Sequence, residues 1–283
     1  MRRILLPLAL LLAIHAQLTS RLSAIPSTIN DGYGDYVLVP PGAFKMGDNF
    51  GDGESRERPV HTVTLRAFYM AKFLMTNGEW KRFRDDPGYD DPKFWPNARV
   101  VPKNQVPYWT DARNHGGGTP DSDPYPVLGV NWDSATAYCA WLSAKTGKKY
   151  RLPTEAEWEK AARGTDQRRY PWGNEIDRTK ANYAGAAAFD TGSPPGAYNN
   201  PSPYGAYDMA GNVMQWCQDW YSRDYYAVSP ADNPQGPATG AYRVVRGGSF
   251  YLDPINLRTY ARSAAWPSLQ GHRMIGFRAA REP

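Results

Sequence analysis

Arg151-Leu152-Pro153-Thr154-Glu155-Ala156-Glu157-Trp158-Glu159-Lys160-Ala161-Ala162-Arg163-Gly164 carries the strongest local signal in the sequence. Thr154 followed three residues later by Glu157 is a capping box, in which each side chain satisfies the other's free backbone N–H at the start of a helix. Trp158, Ala161 and Ala162 then fall on one face and are predicted to point inward. Upstream, Val130-Asn131-Trp132-Asp133 leads into a second helix with Ala135, Tyr138, Cys139 and Leu142 at helical spacing, capped by Asp133 or Ser134. Farther upstream, Thr76 and Glu79 form another box, with Trp80 and Phe83 on one face of a short helix. Tyr36–Val39, Pro40-Pro41-Gly42 and Ala43–Met46 read as strand, turn and strand, and Val60–Leu65 alternates like a half-buried strand. Residues 47–58 and 85–125 are rich in loop formers, and from 165 to 283 helix signals nearly vanish. No repeat or linker divides residues 25–283, which read as one domain.

Composition agrees with an irregular, loop-rich fold. Among 283 residues there are 10 Trp, 19 Tyr and 9 Phe, together with 26 Gly and 25 Pro. Rigid rings bury much area each, and turn formers break regular elements. The formal charge of +5 is misleading as a guide to partners. Of 33 basic residues, Arg2, Arg3 and Arg21 lie in the first 24, which leaves 30 against 28 acidic residues from Ile25 on. No basic stripe remains, so nucleic acid is not an expected partner.

Arg2-Arg3 precede an apolar run from Ile4 to Ile14. Spanning a bilayer takes about 20 apolar residues, so this run is too short and reads as a secretory signal peptide over residues 1–24. Ala16, Ser20 and Ala24 are the candidate cleavage points. Export to the periplasm is the expectation, with no membrane-spanning segment. Cys139 and Cys217 are the only cysteines; one bridge and two buried thiols are both compatible with the sequence.

The ordered blocks VPPGAFKMG, ERPVHTVTL, LGVNWDSATAYCAWL, RLPTEAEWEKAARG, YPWGNE, YGAYDMAGNVMQW, RVVRGGSF and IGFRAA, spread over residues 36–281, resemble the formylglycine-generating-enzyme family. The resemblance implies an irregular α+β fold, distantly like C-type lectins, with little regular secondary structure. It does not settle function, since members of the family carry different chemistries on one scaffold. The cysteine-oxidising members use two cysteines shortly after the GGS block to hold copper as thiolates. Here the block is Gly247-Gly248-Ser249, no cysteine follows residue 217, and Leu252 and Leu257 stand roughly where thiols would be expected. Formylglycine generation and a copper site are therefore not expected. The iron-dependent members use three histidines. The sequence holds His15, His61, His115 and His272; His15 lies in the leader and His61 reads as a packed histidine, which leaves too few imidazoles for an iron site.

The resemblance also implies structural calcium. One set would be the Asn182 side chain, Tyr183 carbonyl, Asp190 side chain and Gly192 carbonyl. The other would be the Asp208 side chain, the Gly211 and Val213 carbonyls and residue 215, which is Gln215 where the family usually has Glu. An uncharged amide predicts weaker binding at the second set.

By the same resemblance the pocket surrounds the GGS block. Asp253 and His272 are the candidate bases, with Tyr251 and Tyr260 as proton relays. Ser249, Met214, Arg258, Arg262, Trp266 and Arg273 are the candidate substrate contacts, suited to a small aromatic or peptide-linked ligand stacked on rings and oriented by arginine. An exported member without the thiol and histidine sets looks most like the periplasmic pyoverdine-maturation proteins, which complete a siderophore chromophore by oxidation. The rival expectations are a non-catalytic binding module and an accessory factor for a periplasmic enzyme.

Overall fold

Short strands of alternating burial need partners from distant sequence, and the chain supplies them from both ends. The computed structural model describes residues 26–103, 124–185, 192–268 and 272–283; residues 1–24, expected to be a signal peptide, lie outside them. The first sheet contains β1 (Thr28–Asn30), β2 (Asp35–Val39), β5 (Phe68–Ala71), β6 (Tyr150–Arg151) and β11 (Ala280–Arg281), in the order β1-β2-β5-β11-β6. Every pairing in it is antiparallel, and the C-terminal β11 slots between β5 and β6. A second unit pairs β3 (Gly42–Met46) with β4 (His61–Leu65). Pro40-Pro41-Gly42 is thus a corner between two sheets rather than a hairpin, with Gly42 at φ +124°. The third sheet has the order β10 (Ile275–Gly276), β7 (Met214–Trp220), β8 (Arg243–Arg246), β9 (Ser263–Ala265).

The three α-helices of the described residues follow the sequence signals closely. Helix α1 spans Asn77–Arg84 with the Thr76/Glu79 box formed. Helix α2 spans Trp132–Thr146. Its cap is Asn131, whose side chain accepts from Ser134 N, and not Asp133 or Ser134. Helix α3 spans Glu155–Arg163 with the Thr154/Glu157 box formed. No helix among the described residues is long and apolar enough to cross a membrane.

Rings fill the first core. Trp80, Phe83, Tyr138, Trp141 and Phe277 are buried, with Trp80 edge-on to Phe83 at 5.3 Å and Phe83 against Tyr89 at 4.8 Å. A second core gathers Val37, Phe44, Val63, Trp158, Cys217 and Val244. Cys139 belongs to the first cluster and Cys217 to the second, and both are free buried thiols. Burial pushes Cys139 up to about 12 and Cys217 well above the usual thiol range, so neither offers a thiolate.

Helix α3 departs from an amphipathic reading. All nine residues are buried, including Glu155, Glu157, Glu159, Lys160 and Arg163. The charges are answered internally. Glu155 receives Arg262 Nε at 2.7 Å and Nη2 at 2.9 Å. Glu159 pairs with Arg163 and Arg246 and accepts from Gly47 N. Lys160 Nζ donates to the Pro40 and Gly42 carbonyls at 2.8 Å each and so holds the corner between the sheets. Thr154 is 1% exposed, and Thr154→Ala removes the acceptor for Glu157 N at the head of this helix. A loss of about 1–2 kcal/mol is expected in urea unfolding, with Thr154→Ser restoring most of it. A loss below ~0.3 kcal/mol would mean that packing alone positions α3.

Candidate functional site

The pocket region is built where β8 ends. Arg246 is anchored in the core, and the chain then turns through Gly247 (φ +95°) and Gly248 (φ +68°). A Cβ on Gly248 would stand 2.8 Å from the Asn256 carbonyl oxygen, so the turn requires glycine there. The turn zips onto the loop before β7: Gly211 N donates to Gly247 O at 2.7 Å, and Phe250 N donates to Asn212 O at 2.8 Å. Gly211 itself leaves no room, since its Cβ would lie 2.5 Å from the Asn182 carbonyl oxygen.

This zipper delivers Ser249, Phe250 and Met214 to one region. Phe250 packs with Leu74 and Val213, flanked by Leu128 and Met274. Met214 N donates to Met274 O at 2.7 Å, and Ile275 pairs with Met214 in the parallel β10–β7 ladder. His272 enters on the same segment: Ile275 N donates to its carbonyl, and Met274 N donates to its Nδ1 at 3.4 Å. That bond leaves the ring proton on Nε2. Half-burial lowers the His272 pKa, so the ring is neutral at pH 7. Leu252 N and Tyr251 N fold back on Ser249 O and Oγ. Tyr251 is 73% exposed and Asp253 is exposed beside it at the head of a 3₁₀ turn, Pro254–Leu257. Leu252 and Leu257, at the positions considered for thiols, are both apolar packing residues. Phe250, Leu74, Val213 and Met274 thus form a small apolar cluster, with Tyr251 and Asp253 exposed on the segment after Ser249 and half-buried His272 two residues before Met274. Arg273, next to His272, is exposed.

Other expected site residues lie elsewhere. Tyr260 is fully buried, and its hydroxyl donates to Asp52 Oδ1 at 2.6 Å. Burial and that carboxylate push its pKa upward, so it stays a phenol. Arg258 joins the same Asp52 at 2.8 Å and Arg169 joins it at 3.0 Å. Arg262 is 1% exposed and committed to Glu155. A relay role for Tyr260 and a ring-clamping role for Arg262 are closed to interior groups; both are structural instead. Trp266 is half-exposed and packs on Tyr242 at 4.3 Å, beyond β9. Asp52 was not legible as the hub of this cluster, because a loop aspartate among Gly, Glu and Arg gives no pattern.

The calcium sets fall on the two loops behind the zipper. Asn182 and Tyr183 are buried, whereas Asp190 lies outside the described residues, so that set is only partly described with Gly192. In the second set Asp208 is buried at φ +55°. Its Oδ2 accepts from Gly196 N, and among the described residues its Oδ1 has no hydrogen-bond donor. Burial holds its pKa up at about 6. Gln215 is fully buried, its Oε1 receiving Trp158 Nε1 and Arg278 Nε at 2.7 Å each. Among the described residues no group of three or more His, Cys, Asp or Glu side chains is placed to hold a metal.

Residues 24–283 match the family model of the sulfatase-modifying factor enzyme 1-like domain. The formylglycine-generating enzyme of Thermomonospora curvata is 37% identical over 290 residues, covering 87% of this chain and 93% of that one. The serine/threonine-protein kinase pkn1 of Chlamydia pneumoniae is 38% identical over 255 residues, but the chain spans only 38% of the kinase's length. The solved structure of PvdO from Pseudomonas aeruginosa superposes with a TM-score of 0.73 at 28% identity, covering 92% of this chain and 99% of that one. The sparse helices, the three small sheets and the order of the blocks are those of this mixed α+β fold. The chain is a member of the sulfatase-modifying factor enzyme 1-like family, to which the formylglycine-generating enzymes belong.

Proposed function

We propose that the protein is an exported, thiol-independent oxidase of this family that completes the aromatic chromophore of a siderophore, converting a dihydropyoverdine-type precursor to its pyoverdine-type product in the periplasm. The observation that carries this reading is that no cysteine follows residue 217 in the sequence, so the segment after Ser249 offers no thiol, while the two cysteines are shut in separate cores. The likeness to PvdO over nearly the whole chain supports the substrate class. The apolar cluster around Phe250 and Met274, next to Ser249, is of a kind suited to a planar ring.

The chemistry is a two-electron oxidation. The ring system loses two protons and two electrons, dioxygen takes both pairs, and hydrogen peroxide leaves. Asp253, exposed on the segment after Ser249, takes the ring proton. His272, with its proton on Nε2, acts as a hydrogen-bond donor toward the ring or the forming peroxide rather than as the base. Structural calcium at the Asn182–Gly192 loop belongs to the same reading and supplies no redox step.

The test is to incubate the purified protein with the non-fluorescent precursor in air while following chromophore absorbance and peroxide. One peroxide per chromophore is expected, and Asp253→Ala is expected to slow turnover about 10²–10⁴-fold with unchanged circular dichroism. Absorbance no faster than in buffer would end the oxidase reading in favour of a binding module. An unchanged rate in Asp253→Ala would move the base elsewhere.

A further inference from the structure

The Gln215 amide is held in one orientation by its neighbours. Trp158 Nε1 and Arg278 Nε are donors with no acceptor capacity, and both reach Oε1 at 2.7 Å. The Nε2 end therefore faces the opposite way, where it donates to Asp208 O at 2.8 Å and lies 3.5 Å from Val213 O. Val213 O is one of the carbonyls that a cation in this loop would need. Turning the amide to offer Oε1 to a cation would aim its NH₂ at Trp158 and Arg278, leaving two buried donors facing a third. Arg278 is itself fully buried and is tied to Ala71 O at 2.8 Å and Tyr207 O at 2.6 Å, so it cannot swing aside.

We infer that the Gln215 side-chain nitrogen takes the place of a cation in the 208–215 loop, so that this second loop is closed by hydrogen bonds and binds no calcium. A glutamate at 215 would behave differently. One oxygen would keep Trp158 and Arg278, while the other would confront the Asp208 and Val213 carbonyls and need a positive ion between them. The inference is independent of the oxidase reading, because it concerns only how this loop is closed.

The opposing feature is Asp208 Oδ1, a buried oxygen without a donor among the described residues; the experiment is aimed at it. Calcium retained after gel filtration is measured by elemental analysis on the full chain, and terbium luminescence is read in parallel. Gln215→Glu is expected to bind one equivalent more than the unaltered protein and to gain a calcium-dependent rise in melting temperature, both removed by adding Asp208→Asn. Asp208→Asn alone, which keeps an acceptor for Gly196 N, is expected to leave the stoichiometry of the unaltered protein unchanged. Loss of an equivalent in Asp208→Asn alone, or equal stoichiometry in the unaltered protein and Gln215→Glu, would overturn the inference. If Gln215→Glu does not fold even with calcium, the comparison of Asp208→Asn with the unaltered protein still decides it.

Discussion

Arg246→Met should cost about 3–5 kcal/mol in urea unfolding, enough to leave a domain of ordinary stability largely unfolded at 37 °C. Arg246 is 1% exposed. Its Nη1 donates to Tyr260 O at 3.1 Å and Ala261 O at 2.6 Å, and its Nη2 donates to Thr259 O at 2.9 Å and to Glu159. Methionine fills much of the volume but returns none of these donors. Three carbonyls would be buried unanswered and Glu159 Oε2 would keep only the Tyr226 hydroxyl at 3.5 Å, and that desolvation outweighs the lost attraction. Changing Glu159 to Met in the same chain should not restore the loss, because it leaves buried Arg163 without its carboxylate and Gly47 N without its acceptor. Arg168→Met is the control: its partner Asp166 is 54% exposed, and such pairs contribute about 0–1 kcal/mol. A loss below ~1 kcal/mol in Arg246→Met would mean that water reaches the Glu159 cluster.

That cluster marks the limit of what the sequence discloses. Both capping boxes and the inward face of Trp158, Ala161 and Ala162 were legible, because they depend on neighbours three or four residues apart. Glu155, Glu159 and Arg163 look like the solvated face of the same helix. They are buried because Arg246 and Arg262, some 90 to 110 residues later, arrive to meet them. Nothing local announces such a pairing. The site divides in the same way. Met214 and Ser249 lie in ordered blocks whose segments the bond between Gly211 and Gly247 brings together, whereas His272 lies in none of them and its segment is brought alongside by Met214 N donating to Met274 O. Tyr260 and Arg262 share the chemistry of site residues, but the chain folds them inward onto Asp52 and Glu155. Residue type could not distinguish a guanidinium that binds a ligand from one that binds the core.

Asp219→Asn should flatten the pH dependence of stability between about pH 4 and pH 8, where the unaltered protein loses stability as pH rises. Asp219 is 3% exposed in β7, and its Oδ2 accepts from Glu155 N at 2.8 Å. Burial, and next the neighbouring Glu155 charge, push its pKa up to about 8. The folded protein therefore holds a proton that the unfolded chain releases near pH 4. The stabilisation from that proton is complete below about pH 4, declines by up to about 1.4 kcal/mol per pH unit, and is gone above about pH 8. Asparagine keeps the acceptor for Glu155 N and replaces the hydroxyl by an NH₂, so the variant resembles the protonated protein at every pH. Lys160, pushed down to about 8 by burial, acts with the opposite sign, its cost diminishing as pH rises beyond 8. It is present in both proteins and cancels from their difference. Urea midpoints at pH 5, 7 and 9 should show the variant gaining on the unaltered protein at each step. Parallel curves would mean that Asp219 is ionised in the fold, with Arg262 rather than a proton balancing it.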